Sequence, residues 1–383
     1  MTVLIRNLLV ALTAVALLGG CGSEEPENVT TDTQASPEQT HKSASETGST
    51  SGKEPIPIKF VVVTMFEIGE DDGDQPGEFQ LWKERRNLDT RYPFPQGNHD
   101  LYVNEETGVL GMVTGIGTAY SASAVMALGM DERFDLSNAY WLIAGISGVD
   151  PEDASLGSAA WAEYIVDGDL AHEIDPREIP EDWNTGYFPR NATKPYDPDK
   201  PEPSFEVQRL NPELADWAYE LTRDVELPDP DALEKTRNLY TEHPEARKPP
   251  FVLKGDQLAA MTFWHGDLMN RWANNWVDYW TDGEGEFVTS AMEDSGSYLS
   301  LRLLDNAGLA DKDRVMVLRT ASNYATPPPG VSAAENLISE SEGYAGLDAA
   351  LESAYIVGSR VMDRILNNWD TYRDEEPTPD DLR

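Results

Sequence analysis

The residues best placed by type and spacing to do chemistry are Met292 and Glu293, which follow the apolar run Phe287–Ala291 and open a helical pattern. A carboxylate at such a strand-to-helix junction can accept two charge-assisted hydrogen bonds from a vicinal diol, with Met292 as a soft apolar surface beneath the ring that carries it. The same Glu also suits an exposed helix start, where the helix dipole favours an acid. Asn323 closes a second apolar run, from Arg314 to Thr320. Its amide can donate to and accept from the edge of a heterocycle but cannot deliver a proton; equally, it can start the Pro-rich turn 326–330. Phe263 and Trp264 can wall a pocket for a flat ring, each stacked ring contributing roughly 1–3 kcal/mol. Trp272, Trp276 and Trp280 recur at spacing four and are expected in the core. Gly115, Gly117 and Ser121 offer amides and a hydroxyl at a helix start, where a phosphate or sugar can approach, or they make only a tight turn. Ser147 and Gly148 read either as pocket wall or as a plain turn before Asp150-Pro151. Glu67 stands in a loop shared with acids 70, 71 and 72, either as a solvated acid or as a working carboxylate. His172 and His265 are isolated, and no His, Cys or carboxylate cluster has metal-ligand spacing, so neither metal nor other cofactor is expected.

Apolar runs, the first with a β-branched centre, predict strands over 56–65, 109–114, 139–143, 159–166, 287–291 and 314–320. Helical patterns fall over 119–128, 294–306 and 345–369, the last with Leu347, Leu351, Ala354, Tyr355, Val361 and Ile365 on one face. Strands apolar on both faces and alternating with helices predict an α/β three-layer sandwich, its sheet mixed but mostly parallel. In such sheets ligands sit beyond the carboxyl ends of the strands, where this sequence keeps its glycines and polar residues. The stretch 167–250 is rich in Pro, Asp and Glu, carries a helix near 210–221, and is expected to be an insertion or lid on the core domain.

The first residues bear on location. Arg6 is the one charge before the eleven-residue apolar run Leu8–Leu18, and Gly19-Gly20-Cys21 follows. A basic start, a short apolar core and small residues predict a secretory signal over 1–20. Leu18-Gly-Gly-Cys21 resembles a bacterial lipobox, and Cys21 is the sole cysteine, so it is the expected lipidation site. Gly22 stands where an inner-membrane retention signal would place Asp, which points to the outer membrane. Residues 21–55 read as a disordered tether, 56–375 as the folded domain, and 376–383 as a flexible tail. The chain holds 69 acids against 29 bases, a net charge of -40. Such a surface repels phosphate backbones, so a nucleic-acid partner is excluded. No stretch after residue 20 approaches 18 uninterrupted apolar residues, so the only expected membrane contact is the lipid anchor.

Gly115-Ile-Gly-Thr-Ala-Tyr-Ser-Ala-Ser, Ala144-Gly-Ile-Ser-Gly-Val-Asp-Pro, Ala291-Met-Glu-Asp-Ser-Gly and Arg319-Thr-Ala-Ser-Asn resemble, in this order, segments of the nucleoside phosphorylase and nucleosidase superfamily. Gly255-Asp256, Phe263-Trp-His-Gly266, Trp276 and Tyr279-Trp-Thr281 bring the likeness nearest to the purine nucleoside permease family. It spans about Pro57 to Trp369. The resemblance implies a sandwich of nucleoside phosphorylase type and a purine nucleoside ligand, with Glu293 on the ribose, Met292 beneath it, and Ser147, Gly148 and Asn323 beside the base. It also implies a Glu near position 67 that activates water, as in nucleosidases, and in phosphorylases a Gly-rich loop with Arg that holds phosphate; neither pattern is clean in this sequence. Nucleosidases carry Asp at the place of Asn323, which weakens hydrolase chemistry here. The resemblance implies a nucleoside-binding protein serving uptake, with a separate membrane transporter as partner and a homo-oligomer as its assembly. Cleavage of the N-glycosidic bond and a structural surface lipoprotein are the alternatives.

Overall fold

Three consecutive valines in Phe60-Val-Val-Val-Thr64 favour a strand, because branched side chains pack well on a pleated surface. They form β1 (Phe60–Thr64), all five residues buried. The computed structural model describes residues 54–340 and 343–383; the expected signal 1–20, Cys21 and nearly all of the tether 21–55 lie outside the described residues. After β1 the chain makes α1 (Gln80–Arg85), β2 (Val109–Val113), α2 (Thr118–Gly129), β3 (Tyr140–Val149), β4 (Ala159–Trp161) and β5 (Tyr164–Asp167). Then come α3 (Pro212–Thr222), β6 (Val252–Lys254), β7 (Asp256–Ala259), α4 (Asp267–Thr281), β8 (Phe287–Ala291) and α5 (Asp294–Asn306). The domain closes with β9 (Val315–Tyr324), α6 (Ala333–Glu340) and α7 (Leu347–Asn367).

β2, β1, β3 and β9 run parallel side by side, the frame of a mixed twelve-stranded sheet. Period-two alternation sorts their side chains. Val61, Val63, Met112, Trp141 and Ile143 face α2 and α5, meeting Val125, Leu128, Leu301 and Leu304. Phe60, Val62, Val109 and Leu142 face the other way, onto Trp82, Trp217, Val357, Val361 and Ile365 from α1, α3 and α7. The result is the expected α/β sandwich with helices on both faces of the sheet.

The sheet forks at β3. Its first half pairs with β1, its last residues pair antiparallel with β8, and β9 runs along its whole length. This corrects three sequence expectations. Gly145-Ile-Ser-Gly148 is strand rather than turn, since both flanks of β3 find partners. Asn323 is likewise strand, not the start of a turn. The run 159–166 is two strands, β4 and β5, each with different neighbours.

The stretch 167–250 begins with a hairpin, Ala171–Glu173 against Tyr187–Pro189. Val207–Arg209 then pairs with β5 at the edge of the main sheet. Asn211 caps α3 by accepting the N–H groups of Glu213 and Leu214, and α3 buries Trp217 completely. This stretch therefore contributes sheet and core. Residues 379–382 form a short 3-10 turn with a capping box at Thr378, and Leu382 packs on the core. Among the described residues no helix is long and apolar enough to cross a membrane, and no three His, Cys, Asp or Glu side chains are grouped to hold a metal.

Candidate functional site

A cavity of about 440 Å³ opens at the carboxyl ends of β1, β3 and β9, with the end of β8 crossing in from the fork. Its floor is an acid–arginine network. Arg319, on β9 and 2% exposed, donates from Nε and Nη2 to the two Asp294 carboxylate oxygens at 3.1 and 2.8 Å. Nη2 also reaches Glu293 Oε2 at 3.1 Å, and Nη1 donates to the Ile146 carbonyl at 3.1 Å. Gly145 is the residue that admits this arrangement: a Cβ there would stand 2.5 Å from both Arg319 Nη1 and Glu78 Oε1.

Glu293 is 4% exposed and lies in the cavity wall. Its Oε1 accepts the Gly117 N–H at 2.9 Å; its Oε2 accepts Arg319 and, at 3.2 Å, the N–H of Met292. A carboxylate has about four lone-pair directions. One on Oε1 stays open, and the long bond from Met292 is the weakest to give way to an incoming hydroxyl. Burial pushes the Glu293 carboxyl up, while Arg319 pulls it back.

Glu78 is a residue that sequence reasoning missed. It stands among many acids of the loop between β1 and α1, and its one distinguishing signal is the apolar helix start that follows directly, Phe79 to Trp82. Its carboxylate accepts the N–H of Met65 at 2.8 Å and of Ile146 at 2.7 Å. Burial raises its pKa from 4.5 to about 7, against the pull of Arg319 and with help from Glu293. A raised carboxyl favours the folded state below pH 4.5, and that contribution is lost as pH climbs through 7. A shift of this size corresponds to about 3 kcal/mol. We therefore expect stability in urea to fall between pH 5 and pH 8, and to fall less steeply in Glu78→Gln.

The structure brings Met292, Glu293, Ser147, Gly148, Phe263 and Asn323 together as lining of this one cavity. Ser322 and Asn323 both line it because the β3–β9 register shifts between Ala321 and Asn323, a bulge that re-aims neighbouring side chains. Ser322 Oγ donates to the Ser147 carbonyl at 3.1 Å and to Asn323 Oδ1 at 2.9 Å, while Asn323 Nδ2 donates to the Tyr324 carbonyl at 3.4 Å. Phe263 stacks on Tyr344 at 6.3 Å beside them.

The other candidates stand outside that lining. Trp264 packs edge-on against Trp272 and beside Phe287, against the core of the Trp272, Trp276 and Trp280 stripe, and lines a small adjoining pocket with Phe263, Met292 and Asn323. Glu67 does not line the cavity: it accepts N–H groups from Ile68, Gly77, Phe79 and Gln80, pinning the acidic loop to the start of α1. Ser121 Oγ donates to the Glu293 carbonyl at 2.9 Å. Gly115 and Gly117 take φ values of 93° and 98°, which favour glycine. Together Gly117 and Ser121 hold Glu293 in place, and the Gly117 amide is spent on that carboxylate.

Fold and site thus define an α/β protein whose sheet carries, at one end, an apolar cavity with a buried carboxylate–arginine floor. The family model for purine nucleoside permeases matches residues 57–377, and the chain belongs to that family. A purine nucleoside permease of Candida albicans is 29% identical over 316 residues, covering 82% of this chain and 76% of the relative. A Schizosaccharomyces pombe relative is 30% identical over 278 residues, covering 70% and 79%. Among solved structures, a 5'-methylthioadenosine/S-adenosylhomocysteine nucleosidase of Neisseria meningitidis, in complex with methylthio-immucillin-A, superposes with a TM-score of 0.47 at 14% identity, over 81% of this chain and 99% of that one.

Proposed function

We propose that this chain binds a purine nucleoside at the cell envelope and passes it to a separate membrane transporter. The observation that carries the reading is Glu293, a nearly buried carboxylate in the wall of a mostly apolar cavity, with one oxygen still able to accept a sugar hydroxyl. Asn323 and Ser147 supply the polar edge for the base, and Met292 the floor under the sugar. Acylation at Cys21 is part of the same proposal, as is assembly with further copies of the chain. Ile116, which lines the cavity and is 53% exposed, and Tyr120, 55% exposed, are large apolar groups of the kind a neighbouring copy covers.

Charge separates this reading from phosphorolysis. Glu78, Glu293 and Glu340 line the cavity, and the one cation lining it among the described residues, Arg319, is engaged by two acids and a carbonyl. A phosphate would meet net negative charge in a poorly solvated place. Hydrolysis is the second reading, favoured by one observation: Glu78, with a pKa of about 7, suits a base that takes a proton from water near neutrality. Against it, Asn323 has no proton to give the departing base.

The test is to incubate the purified chain with inosine, guanosine and adenosine, with and without phosphate. The expected result is saturable, stoichiometric binding, with intact nucleoside recovered in both cases. Nucleoside 5'-monophosphates should bind at least about tenfold more weakly. Release of free base over many turnovers overturns the binding reading in favour of an enzyme, and equal affinity for the monophosphates overturns the charge argument.

A further inference from the structure

We propose that Glu340 reads the purine base, and that the site selects bases presenting N–H donors at N1 and C2, guanosine above inosine and inosine above adenosine. The proposal rests on the nucleoside reading above and adds its specificity.

Glu340 is the last residue of α6, a helix with no buried residue of its own, yet it lines the cavity. Asn336 Nδ2 donates to its Oε1 at 2.8 Å and also stands 3.2 Å from His265 Nε2. Its Oε2 is shielded from solvent and has no hydrogen-bond partner among the described residues. A buried carboxylate oxygen without a donor is costly, so a ligand that brings a donor gains what the protein alone leaves unmade.

The place of Glu340 in the site points to the donor. Glu340, Ser322, Asn323 and Gly343 also line an adjoining cavity of about 200 Å³, to which Glu293 does not contribute. Glu340 therefore stands at the Asn323 end of the site, away from the carboxylate assigned to the sugar. Guanine offers N1–H and the C2 amino group side by side, two donors for one carboxylate; hypoxanthine offers N1–H alone. Adenine presents a bare N1 lone pair, which a carboxylate repels. Burial holds the Glu340 carboxyl up at about 7, with Tyr240 and Tyr344 as the other titratable groups facing it and His265 behind Asn336. Measurements at pH 8 thus read the ionised form.

The experiment measures Kd for guanosine, inosine and adenosine at pH 8 in the wild-type chain, in Glu340→Gln and in Glu340→Ala. The wild-type chain should bind guanosine about tenfold or more tighter than adenosine, with inosine between. Glu340→Gln should lose about tenfold or more for guanosine and gain for adenosine, because an amide can donate to N1 and accept from the C6 amino group. Glu340→Ala should lose guanosine affinity without gaining adenosine. Since α6 contributes no buried residue, both variants should melt near the parent temperature. Equal Kd values in the wild-type chain, or a parallel loss for all three nucleosides in Glu340→Gln, would remove the Glu340 assignment and leave the nucleoside reading standing. If none of the three binds the wild-type chain, both readings fall together.

Discussion

Replacing Glu293 with alanine is expected to abolish measurable nucleoside binding, raising Kd by roughly 10²- to 10⁴-fold. The magnitude follows from two hydrogen bonds to a charged acceptor, each worth roughly 1.5–3 kcal/mol in context. The fold should survive the change. Arg319 keeps its paired bonds to Asp294, and removing one acid from a cluster that also holds Glu78 relieves like-charge repulsion. The Gly117 and Met292 N–H groups are left without that partner, a cost of about 1–3 kcal/mol for each that stays buried. Glu293→Gln should lie between, since the amide oxygen can still accept from Gly117 while the charge is gone. Calorimetric titration with the preferred nucleoside checks both variants; unchanged affinity in Glu293→Ala would remove the central carboxylate from the site.

The second large effect is on stability. Arg319→Met should destabilise the chain by about 3–5 kcal/mol at pH 8, the size seen when one partner of a buried ion pair is removed. Met fills the space but leaves Asp294, Glu293 and Glu78 buried in the floor with no cation beside them. Against a total stability of about 5–15 kcal/mol, that is a large share. The loss should shrink at pH 5, because Glu78, held up at about 7 by burial, takes up a proton there. Urea unfolding at the two pH values measures it. A loss that is small, or the same at both, would mean that Arg319 does not neutralise the floor. Arg319→Lys keeps the charge but cannot reproduce the forked contact to Asp294, so it should recover part of the difference.

Much of this architecture could be read before any coordinates. The valine run of β1 and the apolar runs of β2 and β8 have one stable use each, a strand covered on both faces, and the helical spacing of α5 and α7 is equally plain. The tryptophan stripe of α4 is core for the same reason. Short-range preference sets these elements, so sequence suffices. It fails where small and polar residues form strand: Gly145 to Gly148 and Ser322-Asn323 have turn-like composition, and only pairing along both edges of β3 makes them extended.

The candidate site divides along the same line. Glu293 was legible because a carboxylate at a strand-to-helix junction has few uses, and Asn323 because an amide closes an apolar run. Glu67 and Glu78 were not separable. Both are glutamates in one acidic loop, and their surroundings come from distant segments: backbone amides 10–13 residues on for Glu67, and β3 with Arg319 for Glu78. Glu340 was invisible for a further reason, since its significance lies in an oxygen left unpartnered by the folding around it. Local composition determined the class of fold, the acid-rich character and which carboxylate opens α5. Which acids are buried, which share a cation and which are left for a ligand depended on long-range approach. Electrostatic energy among buried groups is set by distances between residues far apart along the chain, and those distances exist only once the chain has folded.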